Sequence, residues 1–308
     1  MDLYTEDTLD WLDRRFKETD ADGIYLAHQP IYGFRNGHSE PGTILRYLIS
    51  FNILRTLAGL RFDSLLDVGG AEGYKAALIR EVFGCQVRSA DLSAEACRRA
   101  KEIYGIDGEP VDIHRLPYDD GSFDVVLCSE TLEHVPGYES ATAELLRVAR
   151  KAVVITVPHD SPRTIERVKR NKEPHGHLYC LDPHSFDFAL PQLASLSCHK
   201  LLSLATRVAA FAAEGQTRVT LGPLPRMAIE AFNRTVPFSR ALFGERSVDV
   251  LLRLDGHLAA RGPYAGMIFV LLKDPAARTD RSARTVTPRQ VIDFAVPFHY
   301  PSQGAPPR

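Results

Sequence analysis

Leu65-Leu66-Asp67-Val68-Gly69-Gly70-Ala71-Glu72-Gly73 is the stretch that decides the fold. An apolar run ends in an acid and a glycine-rich turn follows at once. Tyr74 to Phe83 then places Ala77, Leu78, Val82 and Phe83 where they can form one buried helical face. That is strand, tight turn, helix. Glycine lacks a Cβ, so such a turn lets a ligand come close to the backbone. Asp67 ends the strand where an open α/β sheet places its ligand crevice. The dinucleotide fingerprint G-x-G-x-x-G sets a pyrophosphate on a helix N-terminus. Here the spacing is Gly69-x-Ala71-x-Gly73, and the preceding carboxylate repels a pyrophosphate. It suits a ligand that carries positive charge and hydroxyl donors.

The following residues extend the pattern. Cys85-Gln86-Val87-Arg88-Ser89-Ala90 reads as a short second strand ending at Asp91, with Ser93 as N-cap of a helix from Ala94 to Tyr104. Val111-Asp112-Ile113 reads as the next strand end. Leu116-Pro117-Tyr118-Asp119-Asp120-Gly121-Ser122-Phe123-Asp124-Val125-Val126-Leu127 leads into a fourth strand, and Ser129-Glu130-Thr131-Leu132-Glu133-His134-Val135 leaves it. In this order the motifs resemble the class I S-adenosylmethionine (SAM)-dependent methyltransferases, of the type 11-like kind, over about residues 62 to 190. Ala71 replaces the middle glycine of that family's acid-x-Gly-x-Gly-x-Gly motif.

The resemblance implies SAM as cofactor and an α/β architecture. This is a Rossmann-like doubly wound sheet of about seven strands, with an N-terminal helical lid and a helical insertion before the last strand. It also implies cofactor contacts. Asp67, Gly69 and Gly73 would serve the turn. Asp91 would accept hydrogen bonds from the ribose hydroxyls, with Leu92 beside it. Asp112 would meet the adenine amino group, with Ile113 against the ring, and Ser129 and Glu130 would follow the fourth strand.

Composition agrees with a soluble globular protein able to bury a large core. The chain has 308 residues, 44% hydrophobic and 25% charged, and its net charge of -2 argues against a broad nucleic-acid surface. No stretch is long and apolar enough to span a membrane. The acidic start Met1-Asp2-Leu3-Tyr4-Thr5-Glu6-Asp7 is unlike a signal peptide. Cys85, Cys97, Cys128, Cys180 and Cys198 form no C-x-x-C pair. Cys85 and Cys128 fall in predicted strands, so buried reduced thiols and a cytoplasmic location are expected.

Residues 1–60 form the expected lid. Leu9, Leu12 and Phe16 mark one amphipathic helix, and Ile44 to Leu57 a second, more apolar one. Between them Gly23 to Gly42 is loop-like and carries Tyr25, His28, Tyr32, Phe34 and His38; the alternative to a lid is a loop packed on the core. The SAM-binding core spans 61–205. Its helix Tyr138 to Arg150 precedes a fifth strand, Lys151 to Val157. Asp182-Pro183 opens a short helix, and Ser195 to Ala205 forms a sixth strand. Residues 206–262 are a helical insertion, with helices over Arg226 to Val236 and Ser247 to Arg261. It serves as a substrate cap or, alternatively, as a helical elaboration or homodimer contact. Residues 263–274 hold the final strand, Ala265 to Lys273, set antiparallel beside the sixth as the resemblance implies. Residues 275–308 form a mobile tail of which Val291 to Tyr300 can dock.

Methyl transfer from a sulfonium is an in-line displacement that requires alignment, exclusion of water and, for some acceptors, removal of a proton. Glu130, Glu133 and His134 share a face if the segment is helical. His134 or Glu133 can act as base, or the pair can simply brace the helix start. Glu130-x-x-Glu133-His134 is also similar to a divalent-metal site in ubiquinone-pathway O-methyltransferases and small-RNA terminal-ribose methyltransferases. The same letters occur without metal, and none is expected here. Pro174-His175-Gly176-His177-Leu178-Tyr179 adds His177 as a third catalytic candidate, with His159 nearby; a packing role competes. The basic run Arg163 to Lys172 reads as a solvated helix face. The expected activity is methyl transfer to a small-molecule, glycosyl or lipid-linked acceptor, through oxygen, with N- or C-methylation as the alternative. A non-catalytic SAM-fold scaffold is the reading of a different class.

Overall fold

β1 (Ser64–Val68) sits at the centre of the molecule, its Leu65, Leu66 and Val68 fully buried. The computed structural model describes residues 6–18, 43–171, 175–207, 227, 246–279, 285–292 and 294. β1 pairs in parallel with β2 (Gln86–Asp91) on one side and β4 (Phe123–Ser129) on the other. β3 (Gly108–Pro110) extends beyond β2, and β5 (Ala149–Pro158) beyond β4. β7 (Tyr264–Leu272) then inserts antiparallel between β5 and β6 (Ser195–Ser203). The seven described strands run in the order β3-β2-β1-β4-β5-β7-β6. The strand order reverses between β1 and β4, and a doubly wound sheet opens its ligand crevice at such a reversal. The Rossmann-like α/β expectation therefore holds, including the antiparallel last strand.

Helices cover both faces. α1 (Glu6–Lys17) and α2 (Thr43–Leu57) precede the sheet, and α3 (Tyr74–Phe83) and α4 (Ala94–Tyr104) follow β1 and β2. α2 is mostly apolar and largely buried, with Arg55 exposed. Leu48, Leu54 and Leu57 are wholly buried in a cluster that also takes in Leu65, Tyr74 and Leu78. α5 (Tyr138–Val148) serves the opposite face, where Leu145 and Leu146 pack with Val126, Val153 and Phe269. α6 (Pro162–Asn171) buries Ile165 and Val168 and turns its basic side chains outward, as the solvated-face reading of that run expects. α7 (Arg246–Arg261) packs on β6 and α8 (Pro288–Ile292) on α2. Asp255 of α7 accepts hydrogen bonds from the Leu202 and Ser203 amides, both at 2.8 Å, where Leu202 takes a positive φ of 55°.

Several sequence boundaries need correction, each for a local reason. β2 begins at Gln86, so Cys85 lies just before the strand, although it is buried. β3 ends at Pro110, because the Asp112 carboxylate bonds the His114 amide at 2.9 Å and turns the chain; Val111 to Ile113 are therefore post-strand. α5 stops at Val148, and β5 already starts at Ala149. Asp182-Pro183 opens a turn, with Asp182 Oδ1 accepting from the His184 amide. The helical piece is a 3-10 segment, Asp187–Gln192. β6 ends at Ser203 because its Oγ caps the Thr206 amide at 3.0 Å. The tail is partly docked. Arg61 donates to the Ala277 carbonyl at 2.7 Å, Val291 is buried, and the Phe294 ring stands edge-on to Tyr74 at 5.8 Å. Gly23 to Gly42 and, apart from Met227, the helix expected over Arg226 to Val236 lie outside the described residues.

Gly73 opens α3 with φ 81°, and a Cβ there would lie 2.9 Å from the Ala100 Cβ of α4. Gly73→Val combines this overlap with a left-handed backbone that costs a branched residue about 1–3 kcal/mol. The expected result is a loss of at least about 2 kcal/mol of unfolding free energy in urea titration. An unchanged midpoint would contradict the close α3–α4 contact.

Candidate functional site

A cavity of about 390 Å³ opens over the C-terminal ends of β1, β2 and β4. Its floor is the Gly69–Ala71 turn. One end holds Asp91, Leu92, Val111 and Ile113, the other Ser129, Glu130 and His134. α1 forms the roof with Thr8, Leu12 and Phe16. α1 is held down at two points. Asp13 Oδ1 accepts hydrogen bonds from Ser93 Oγ and, at 3.3 Å, from the Glu95 amide at the start of α4. The fully buried Arg99 guanidinium donates to the Phe16 carbonyl and lies 3.5 Å from buried Glu72.

The turn is shaped by what it cannot hold. Gly69 has φ 72°, and a Cβ on it would fall 2.2 Å from Thr131 Oγ1. A Cβ on Gly70 would fall 2.2 Å from Ser89 Oγ. Asp91 receives the Ala71 and Ser93 amides, each at 2.9 Å, and burial pushes its carboxyl above the ordinary range. Asp67 lies beneath the turn and does not line the cavity. Burial raises its pKa to about 6 although the Lys75 ammonium pulls it back, and neither oxygen closes a hydrogen bond of normal geometry. Gly73 packs on α4. Asp112 spends its carboxylate on the His114 amide and ring (2.9 and 2.7 Å) and stays off the cavity wall, whereas Ile113 lines it.

Glu130 to His134 is not an α-helix. Glu130 has a positive φ of 55°, and only Leu132–His134 makes a 3-10 turn. The helical face expected for Glu130, Glu133 and His134 is therefore absent, and Glu130 turns instead to Thr156 Oγ1 at 3.0 Å. Glu133 is buried, and burial lifts its carboxyl well above the usual range, with Glu130 adding to the effect. The His134 Nε2 is 3.7 Å from Glu133 Oε1. The His134 ring stacks on His175 at 3.8 Å and meets His177 edge-on at 4.7 Å. Burial, reinforced by His175 and His177, lowers its pKa to about 2. His177 pairs through Nδ1 with Asp160 Oδ2, which holds Asp160 below the usual carboxylate range. His159 stands apart from the cluster, stacked on Tyr264 at 4.6 Å and bonded to the Leu181 carbonyl.

Among the described residues, Glu133, His134 and His177 form the group with potential cation ligands within 4.8 Å of one another. This is not the E-x-x-E-H set, because Glu130 drops out and His177 enters. Sequence reasoning passed over Asp160, Lys75, Trp11 and Asp13. Trp11 stacks on His175 at 5.4 Å and links α1 to the histidine loop. Helical spacing placed Leu12 and Phe16 together, but nothing local marks a partner 164 residues away (175 minus 11).

Residues 66–157 match the family model described as a methyltransferase domain. Norajmaline N-methyltransferase of Rauvolfia serpentina is 34% identical over 101 residues, 30% of this chain and 35% of that protein. Ubiquinone biosynthesis O-methyltransferase of Thiobacillus denitrificans is 34% identical over 122 residues, 36% of this chain and 52% of its own length. The chain thus spans about a third to a half of these curated relatives. The solved phosphoethanolamine N-methyltransferase 2 of Haemonchus contortus superposes with a TM-score of 0.54 at 19% identity, covering 87% of this chain and 60% of that one, a likeness of fold. The cofactor of this domain is SAM, and the crevice fits it: acids stand at both ends, Asp67 is an orphaned buried carboxylate, and the glycine floor excludes side chains.

Asp67 also gives a test by stability. Its folded pKa of about 6 exceeds the ordinary 3.8, so its contribution is fully favourable below pH 3.8 and is lost as pH rises through 6. Asp67→Asn removes that loss. Its thermal midpoint is expected to exceed wild type by several degrees at pH 8, with the gap closing towards pH 4. A lower midpoint at pH 8 would mean that the ionised form is stabilised where it sits.

Proposed function

We propose that this chain, a member of the class I SAM-dependent methyltransferase family, moves a methyl group from SAM to a hydroxyl of a small-molecule, glycosyl or lipid-linked acceptor. The observation that carries the reading is the His177–Asp160 pair, with His177 edge-on to His134, which lines the Ser129–Glu130 end of the cavity. Bound SAM supplies an electrophilic methyl on a sulfonium. Asp91, with Leu92 and Ile113, would hold its ribose and adenine. Glu130 and the buried charge of Asp67 favour the cationic end. A hydroxyl acceptor must lose a proton as the new bond forms, and a base near it contributes about 10²–10⁴-fold. His177, with Nδ1 fixed by Asp160, keeps Nε2 for that proton. Asp160 then stabilises the imidazolium, as an acid paired with a catalytic histidine does.

His134 serves differently in this reading. A ring driven to a pKa of about 2 stays neutral at neutral pH and is a weak base. Stacked on His175, it acts as a wall that positions the acceptor. α1, tied to that wall through Trp11, excludes water as a lid. Nitrogen is the second reading, since Glu130, Asp160 and the Trp11 ring also suit an amine.

Labelled SAM screened against hydroxylated and amino metabolites tests the activity. His177→Ala should lower turnover by about 10²-fold or more, and Asp160→Asn by about tenfold or more, while SAM affinity stays near wild type. Turnover within about threefold of wild type in both variants would remove the base and favour nitrogen or carbon as acceptor.

The same cluster makes a chelator informative. Activity is expected to survive EDTA. Loss on chelation and recovery with Mg or Mn would instead assign Glu133, His134 and His177 to a cation.

A further inference from the structure

Lys75 is the one lysine or arginine among the described residues that line the cavity. It lies in the first turn of α3, immediately after the glycine turn, and is half-buried. Its Nζ donates to the Ser129 carbonyl at the end of β4, at 3.4 Å. An ammonium has three donors, and this single long bond leaves capacity for another acceptor. No carboxylate comes within ion-pair distance of it among the described residues, although Asp67, Glu130 and Glu133 all feel its field. Lys75 is therefore a cation held at the cavity floor among acids without a close anionic partner of its own.

The ligand's charges match that arrangement. SAM carries two positive groups, the sulfonium and the α-ammonium, and one negative group, the α-carboxylate. Asp67, Asp91 and Glu130 favour the cations and the ribose hydroxyls. The same acids would repel the carboxylate unless a cation received it. Lys75 is placed to do so, and the first amides of α3 add the positive end of the helix beside it. We propose that Lys75 receives the α-carboxylate of the methionyl part of SAM, and that the site thereby selects the carboxylated cofactor over decarboxylated SAM. This inference rests on the cofactor assignment above, but not on any choice of acceptor.

Calorimetric binding of SAM, S-adenosylhomocysteine and decarboxylated SAM to wild type and Lys75→Met tests it without turnover. Wild type should bind SAM about tenfold to a hundredfold tighter than decarboxylated SAM, the range expected for one charge-assisted bond. Lys75→Met should weaken SAM and S-adenosylhomocysteine by the same factor and leave decarboxylated SAM within about threefold, so that the preference collapses. Equal weakening of all three ligands would overturn the proposal and make Lys75 a neutraliser of the buried acids. Should Lys75→Met fail to fold, the wild-type comparison still decides: equal affinity for SAM and its decarboxylated form refutes the contact. Wild type that binds none of the three overturns the cofactor assignment itself, and this inference with it.

Discussion

The turn from Gly69 to Gly73 has no room for a side chain at three of its five positions, and the rest of the domain is arranged around that fact. A Cβ would strike Thr131, two residues past β4, at the first glycine, Ser89 from β2 at the second and Ala100 from α4 at the third. The turn is thus the joint where β1, β2, β4, α3 and α4 meet. Because the space is already taken by neighbours, the backbone there is fixed before any ligand arrives. Its amides are engaged within the protein, those of Gly69 and Gly70 by the Ala90 carbonyl, that of Gly73 by the Gly70 carbonyl and that of Ala71 by Asp91. A preorganised floor of this kind spares a ligand the cost of ordering it.

Charge follows from the same constraint. Packing the turn so tightly places Asp67 in a dry pocket, where ionisation is costly. It also places Glu72 wholly inside, opposite the buried Arg99. Such a pair is weak evidence for stability, since desolvation offsets much of the attraction. Its geometry is more telling, because Arg99 also donates to the Phe16 carbonyl. The pair therefore connects the glycine turn to the last turn of α1. Asp13 makes a second connection to the start of α4. The roof of the cavity is held by polar contacts to the floor's own supports, and Leu12 and Phe16 supply the apolar part.

Period and punctuation made much of this legible. Ser93 was readable as a cap because Ser-then-helix is a local signal, and its Oγ does accept the Ala96 amide at 3.1 Å. The Tyr74–Phe83 helix was readable from apolar spacing, and the β4 run from its resemblance to the family's motif. The region from Glu130 to His134 was not. Its letters fit a helix, but Glu130 adopts a left-handed backbone and bonds to Thr156 on β5, a partner that exists only once the sheet has formed. Asp112 misled for a related reason. Its side chain competes with the strand by binding the amide two residues on, a habit of aspartate that strand patterns do not register. Lys75, Asp160 and Trp11 carry no local signature; each gains its meaning from residues 54, 17 and 164 positions away.

His134 shows why residue type and position are a poor guide to a proton's path. It stands beside the crevice, its reference pKa is near neutrality, and a base is wanted close by. Yet stacking on His175 and contact with His177 put three imidazoles together, where a charge on one opposes a charge on the next. The innermost ring loses, because burial and both neighbours disfavour its cation. His177 differs in its partner, since Asp160 sits against its Nδ1. The rings thus sit in different surroundings, His134 between two imidazoles and His177 against a carboxylate.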